Sequence, residues 1–117
     1  PYVRGRERSR DPERIIDEVR ELVAEAREIV GAGPVYVTYD IDFVDPTFAP
    51  GTGTPEVGGP TSWQAFQVAR GLRGLDVVGA DLVEVSPPFD ASGGTAWLGI
   101  SLMFEMLCVM AERIAGR

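Results

Sequence analysis

The order of helical and strand-like segments along the chain constrains its fold more than any other feature. Two short segments rich in β-branched and apolar residues, 35–39 and 77–85, each lie between stretches with helical periodicity. Strands separated by a helix in this way pair in parallel, because the helix returns the chain to the same end of the sheet. The sequence therefore predicts an α/β fold with a parallel sheet, and it shows no internal repeat or domain linker.

Three helices are predicted around these strands, over residues 11–30, 61–72 and 95–114. In the first, Asp11 suits the N-cap position and Pro12 the first helical position. The apolar residues of this helix recur at three- and four-residue steps, which predicts a single buried stripe opposite a solvated, charged face. The second helix begins with a capping box in which Thr61 is the cap and Gln64 reaches back to it.

Two segments are apolar enough to be buried. The first strand, 35–39, is expected to be buried. In the last helix Glu105 is the only charged residue between Gly94 and Ala111. A membrane-spanning helix needs about 20 apolar residues, so this run is marginal as one. We therefore expect the helix to be buried, either in the core or against another chain.

Residue types that the chain lacks restrict its chemistry. Its 117 residues include no histidine, and all 11 basic residues are arginine. A lysine Schiff base, a phosphate-loop lysine and a histidine general base cannot come from this chain. A formal charge of −7 argues against nucleic-acid binding, which favours a basic surface. The single cysteine, Cys108, lies in an apolar run and is expected to be a buried, inert thiol, as in a protein of the reducing cytoplasm.

Carboxylates at the end of the first strand are the strongest candidates for a site. If the strand continues, Asp40 and Asp42 share one face, at the sheet edge where α/β proteins bind ligands. Two close carboxylates favour a divalent metal with oxygen ligands. The alternative is that they stabilise turns, which is also the interpretation we favour for Asp45. Some phosphotransferases also end an apolar strand in an Asp-x-Asp pair. They need a cationic partner for the phosphate, commonly lysine, and this chain has no lysine.

A second candidate, Glu84, lies at the carboxyl end of the second strand. Glutamate is unfavourable inside a strand, which suggests a functional reason for its presence. If the two strands are neighbours, Glu84 projects into the same crevice as Asp40 and Asp42. There it could bind a guanidinium or ammonium group through charge-assisted hydrogen bonds. The alternative is an ion pair with an arginine of the core.

Three stretches carry a resemblance to a known family. They are DIDFVDPTFAPGTGTPEVGG at 40–59, VVGADLVEVSPPFD at 77–90 and FEMLCVMAE at 104–112. Together they resemble the ureohydrolases, which include arginases, agmatinases and guanidinobutyrases, and come closest to the agmatinase-like branch. The resemblance covers residues 34–115. It implies a three-layer α/β/α sandwich with a parallel sheet, of the arginase and deacetylase kind. The chain is then the carboxyl-terminal portion of that domain, with residues 1–10 as a loosely ordered arm.

The resemblance also implies a chemistry. Asp40 matches the carboxylate that bridges two manganese ions, Asp42 matches one that binds a single ion, and Glu84 matches the acid that contacts the guanidinium. Hydroxide would attack the guanidinium carbon and release urea and an amine. Agmatine, giving putrescine, is the expected substrate, and guanidinobutyrate or a related guanidino acid is the alternative. Phe89 and Trp97 could line a pocket for the substrate's tail, although packing is the simpler interpretation.

The absence of histidine is the main departure from the family pattern. Family members bind metal with histidines and further aspartates from the earlier half of their chains, and a histidine there assists proton transfer. We therefore expect the isolated 117 residues to be inactive, and we assign no catalytic residue beyond the metal and substrate positions. The resemblance further implies a homo-oligomer, a trimer or hexamer. An alternative function is a non-catalytic module that docks on a partner through its apolar last helix.

Overall fold

A computed structural model describes residues 12–116. It contains five main elements: α1 (Pro12–Val30), β1 (Pro34–Asp40), α2 (Ser62–Gly71), β2 (Asp76–Val83) and α3 (Gly94–Ile114). A short 3-10 turn follows each strand, at Ile41–Phe43 and at Pro87–Phe89. The predicted order of helices and strands is confirmed, whereas the arm 1–10 and the cap Asp11 lie outside the described residues.

The two strands pair in parallel, as the intervening helix predicts. Their register sets Thr38 opposite Asp81 and Asp40 opposite Val83, with an irregularity between Val35 and Tyr36. Parallel pairing brings the carboxyl ends of both strands to one edge of the sheet. This edge carries the acidic residues that the sequence singles out.

Helices α2 and α3 pack with one face of this sheet to form the main core. Val37 and Tyr39 of β1, with Ala80 and Leu82 of β2, face these helices. The Tyr39 hydroxyl is buried and donates a hydrogen bond of 2.7 Å to the backbone oxygen of Ala65. Burial of that hydroxyl raises the pKa of Tyr39, because the phenolate would lose its hydration.

The opposite face of the sheet is exposed, so the prediction that the first strand is buried is wrong for that face. Burial alternates along β1, and Tyr36 leaves 63% of its surface exposed. Tyr36 and Thr38 donate hydrogen bonds of 3.0 and 2.6 Å to the Asp81 carboxylate. The reason is that, within residues 12–116, the core helices cover only the other face.

Helix α2 begins with the predicted capping box. The Thr61 side chain accepts from the Gln64 backbone N–H, and the Gln64 side chain accepts from the Thr61 backbone N–H. Helix α1 packs on α2, with Val23 against Gly71. The single apolar stripe predicted for α1 is only partly packed, since Leu22 remains exposed.

Helix α3 has two apolar faces, of which one is buried. The inner face packs into the core through Leu98, Leu102, Met106 and Val109. The outer face exposes large side chains at Trp97, Ile100, Phe104 and Leu107. By length and composition alone α3 could also cross a membrane, but 33% of its most apolar stretch is buried in the protein. The expected burial is confirmed for the inner face, and burial of the outer face against another chain stays a prediction. Cys108 is half-buried rather than buried.

Candidate functional site

The strand β1 ends at Asp40, and the chain turns at once into the 3-10 turn Ile41–Phe43. The Asp40 carboxylate caps this turn by accepting a hydrogen bond of 2.9 Å from the backbone N–H of Asp42. The premise that Asp40 and Asp42 share one face of a continuous strand is therefore wrong. The turn, rather than the period of a strand, brings the two acidic residues together.

The two oxygens of the Asp42 carboxylate differ in their hydrogen bonding. Its Oδ2 atom accepts a hydrogen bond from the hydroxyl of Thr54, which lies twelve residues further along the loop. Its Oδ1 atom is buried and accepts no hydrogen bond from the described residues. A buried carboxylate oxygen without a partner is unfavourable unless a cation or a donor fills its coordination.

An open cavity of about 250 Å³ lies beside Asp40. Its lining is mainly apolar and comes from β1, the turn and α2. The residues are Thr38, Tyr39, Asp40, Phe43 and Val68. This shallow depression opens to solvent beside the carboxyl end of β1.

The loop that follows the turn is organised by Asp45. This carboxylate accepts hydrogen bonds of 2.8 Å from the backbone N–H groups of Thr47 and Gly58, at the two ends of the loop. Hydrogen bonds from Thr47, and then from Gly58, hold the pKa of Asp45 below its usual value, because they favour the charged form. These contacts agree with the interpretation of Asp45 as a loop-stabilising residue.

Glu84 follows β2 directly and is exposed. Since Asp40 pairs with Val83, Glu84 lies one residue beyond the position opposite Asp40 on the neighbouring strand. Its backbone φ of 65° makes it the one described residue other than glycine with a left-handed conformation. Non-glycine residues in this region are strained, and such strain is concentrated at functional sites. No ion pair between Glu84 and a core arginine is found in residues 12–116, so that alternative gains no support.

The loops after the two strands are joined through Gly51. The Gly51 carbonyl accepts a hydrogen bond of 2.7 Å from the backbone N–H of Ser86, two residues beyond Glu84. The Gly51 N–H donates to the hydroxyl of Thr95 at 2.8 Å. A Cβ atom at Gly51 would lie 2.7 Å from Asp90 Cβ, so only glycine permits this close approach. The loop that carries the paired aspartates therefore has a fixed position relative to Glu84.

Sequence reasoning missed Asp90, which closes the second loop. Its carboxylate accepts hydrogen bonds from Ser92 through both the backbone N–H and the hydroxyl, from the Gly93 N–H, and from the Thr95 N–H at 2.6 Å. The Ser92 hydroxyl, followed by the Thr95 N–H, holds the pKa of Asp90 far below its usual value. An aspartate two residues before a serine, just ahead of a helix, is the signal that could have found it.

Asp40 and Asp42 are the described residues that could hold part of a metal site. Asp40 and Asp42 offer hard oxygen ligands, and the unpartnered Asp42 Oδ1 is what a cation would neutralise. Within residues 12–116, however, no group of three or more potential ligands is assembled. The two carboxylates therefore fit a divalent metal only as part of a ligand set larger than residues 12–116 supply.

Comparison with known proteins agrees with this geometry. The profile of the arginase family matches residues 10–108. The chain is 65% identical over 97 residues to a guanidinopropionase and 61% identical over 89 residues to a guanidinobutyrase, both from Pseudomonas aeruginosa. It is 57% identical over 89 residues to a mitochondrial agmatinase from Gallus gallus. These matches cover 83%, 76% and 76% of this chain and 30%, 28% and 26% of the respective relatives.

Solved structures show the same fold. A hypothetical agmatinase from Burkholderia thailandensis superposes with a TM-score of 0.78 at 45% identity, over 85% of this chain and 32% of that one. Proclavaminate amidino hydrolase from Streptomyces clavuligerus superposes with a TM-score of 0.75 at 45% identity, over 80% of this chain and 31% of that one. The chain thus spans about a third of these structures. The resemblance read from residues 34–115 and the predicted α/β fold are both confirmed, and the chain belongs to the arginase family.

Proposed function

We propose that this chain supplies part of the active site of a manganese-dependent amidinohydrolase, which releases urea from a linear guanidino compound. The observation that carries the proposal is the pairing of Asp40 with Asp42 at the carboxyl end of β1, with one buried carboxylate oxygen left free. Glu84 follows the neighbouring strand at the same edge of the sheet. Membership of the arginase family supports the choice of this reaction over other metal-dependent chemistry.

Asp40 and Asp42 would hold the metal. When bound, manganese supplies Lewis acidity and lowers the pKa of water, so that hydroxide is available near neutral pH. The chain's own residues position the substrate for that attack. The Glu84 carboxylate binds the guanidinium, bidentate in its best geometry, and orients the guanidinium carbon. The Gly51 link to Ser86 fixes Glu84 relative to the aspartate pair.

The identities of the relatives support a choice of substrate class. Hydrolases of guanidino acids, the guanidinopropionase and the guanidinobutyrase, are 65% and 61% identical to the chain, whereas the chicken agmatinase is 57% identical. We therefore place a guanidino acid ahead of agmatine, the substrate expected from the sequence. The exposed side chains of Phe89 and Trp97 remain candidates for contacts with the substrate's tail.

A chimera tests the proposal directly. The 97-residue matching segment of the guanidinopropionase is replaced by this chain's sequence, and urea release is measured with manganese and three substrates: guanidinopropionate, guanidinobutyrate and agmatine. We expect activity in the chimera. Asp40→Ala and Asp42→Ala should abolish it, and Glu84→Ala should chiefly raise KM. Glu56→Gln, which changes an exposed acidic residue of the same loop, is the matched control. Full activity of the three alanine variants would refute the assignment.

The same assay separates the proposal from a non-catalytic docking module. A module would give a chimera that folds but releases no urea, and the 117-residue chain would bind a partner or itself through α3. The exposed outer face of α3 also supports our proposal that the complete protein is a homo-oligomer. Light scattering coupled to size-exclusion chromatography measures its subunit number.

A further inference from the structure

We propose that Thr95 is a positioning residue for Glu84, acting through the hydrogen bonds that join the two loops. The inference rests on the proposed function, because it concerns the residue that binds the guanidinium there. Thr95 lies in the first turn of α3 and is 1% exposed. It is assigned no contact with metal or substrate, so its contribution is made from within the protein.

The backbone of Glu84 needs support from its surroundings. Its φ of 65° is a left-handed conformation, which a residue with a Cβ adopts only at a cost. Such conformations persist where the surrounding structure determines the backbone on both sides. The residue before it, Val83, pairs with Asp40 in the sheet, and the residue after it, Val85, packs against the core.

Two hydrogen bonds hold the backbone just beyond Val85. The Ser86 N–H donates to the Gly51 carbonyl at 2.7 Å, and the Gly51 N–H donates to the Thr95 hydroxyl at 2.8 Å. These two hydrogen bonds form what we term the Thr95 link. The Thr95 hydroxyl is the only side-chain group in the Thr95 link. A substitution at this residue can therefore break the link without changing the backbone groups that it joins.

Asp90 holds Thr95 in its turn. One oxygen of its carboxylate accepts a hydrogen bond of 2.6 Å from the Thr95 N–H. The other oxygen accepts hydrogen bonds of 3.0 Å from the backbone N–H groups of Ser92 and Gly93, which fix the carboxylate within its own loop. The start of α3 is thereby anchored, and the Thr95 link transmits this anchoring to the segment that carries Glu84.

The first experiment measures the kinetics of urea release in the chimera with the guanidinopropionase. Thr95→Val keeps the shape of the side chain but removes the acceptor of the Gly51 N–H. We expect it to raise KM for guanidinopropionate about tenfold, since misplacement caused far from the chemistry can cost up to ~100-fold. The value of kcat should stay nearly unchanged, as when substrate binding alone is weakened. Thr95→Ser, which keeps the hydroxyl, should restore the wild-type KM.

Thr61→Val is the matched control. The Thr61 side chain also stabilises a helix, as the N-cap of α2, so its removal destabilises the protein without touching the Thr95 link. We expect its KM to equal that of the wild type. An equal rise of KM in Thr61→Val and Thr95→Val would overturn the positioning role, because a general loss of stability would then explain both.

A second measurement needs no activity. In the 117-residue chain labelled with ¹⁵N and ¹³C, hydrogen exchange at the Ser86 N–H reports the Thr95 link, and the Cα and Cβ chemical shifts of Glu84 report its backbone conformation. Thr95→Val should make the Ser86 N–H exchange about fivefold to tenfold faster relative to the amides of β2, the factor that one hydrogen bond typically represents. It should also move the Glu84 shifts away from left-handed values. Thr61→Val should do neither.

A milder variant covers the case in which Thr95→Val does not fold. Asp90→Asn weakens the hold on Thr95 from its far end. It should change KM, the Ser86 exchange rate and the Glu84 shifts in the same direction as Thr95→Val, by smaller factors. No change in any of the three would overturn the inference.

The two measurements separate the inference from the function on which it rests. A wild-type chimera that releases no urea refutes the proposed function, and the exchange rates and shifts then decide alone whether Thr95 holds Glu84. In an active chimera, an unchanged KM in Thr95→Val would overturn the positioning role. Unchanged Glu84 shifts in that variant would overturn it as well.

Discussion

The hydroxyl of Thr95 accepts a hydrogen bond of 2.8 Å from the backbone N–H of Gly51. This contact joins the first turn of α3 to the long loop after β1, across 44 residues of sequence. On its other side Gly51 accepts from Ser86, which follows Glu84. A single glycine therefore connects the segments that carry the paired aspartates, Glu84 and the start of the last helix.

Replacing Gly51 by alanine should destabilise the protein. The new Cβ would lie 2.7 Å from Asp90 Cβ and 2.9 Å from Thr95 Oγ1, and neither atom belongs to a flexible side-chain end. Overpacking of this kind costs about 1–3 kcal/mol of the free energy of unfolding, measured by urea denaturation. Gly53→Ala is the control, because nothing lies within 4 Å of a Cβ at that position. Equal stability of the two variants would contradict the close approach at Gly51.

Asp90→Asn should change how stability depends on pH. The folded-state pKa of Asp90 is lowered by the Ser92 hydroxyl and the Thr95 N–H, so its stabilising contribution is present above the unfolded-state pKa of about 3.9. That contribution is lost as pH falls through this value toward the folded-state pKa. We expect the variant to be less stable than the wild type at pH 7. The difference should narrow between pH 4 and pH 2 in thermal denaturation. A constant difference across this range would argue against a lowered pKa.

Two substitutions at Glu84 separate backbone strain from substrate recognition. Glu84→Gly removes the strain of a φ of 65°, whereas Glu84→Ala keeps a Cβ in the same conformation. A left-handed residue with a Cβ costs ~1–2 kcal/mol, and glycine removes this strain. Glycine also has greater conformational freedom in the unfolded chain, which offsets part of the gain. We therefore expect Glu84→Gly, but not Glu84→Ala, to raise the free energy of unfolding by about 0.5–1 kcal/mol. Both variants should lose substrate affinity in the chimera. Equal stability of the two would show that Glu84 is not strained.

Leucines on the two faces of α3 should respond differently to truncation. Leu102 is fully buried, and Leu102→Ala should cost about 2–5 kcal/mol by loss of packing and formation of a cavity. Leu107 is 60% exposed, and Leu107→Ala should stay within about 0.5 kcal/mol in the monomer. Chemical denaturation at several protein concentrations is the measurement. A large, concentration-dependent cost at Leu107 would mean that a second copy covers this face in solution.

Local sequence patterns predicted most of the fold correctly. Helix α2 begins with its capping box at Thr61 and Gln64, and both strands lie within one or two residues of their predicted ends. These features depend on residues close together in sequence. The burial of the first strand was predicted wrongly, because an apolar composition cannot tell a strand covered on both faces from one covered on a single face. Tyr36 is exposed because the described helices lie opposite it.

Some features of the candidate site could likewise be predicted from the sequence, whereas others depend on the tertiary structure. The sequence by itself determined the family of the chain and named Asp40, Asp42 and Glu84, because these residue types stand in contiguous motifs at strand ends. Only the tertiary structure decided that one Asp42 oxygen has no hydrogen bond, that Thr54 donates to the other, and that Glu84 is left-handed. It alone showed Asp90 and Gly51 as the junction between the two loops. The physical reason is that hydrogen bonds and close approaches between residues 12 to 44 positions apart depend on the packing of the whole chain.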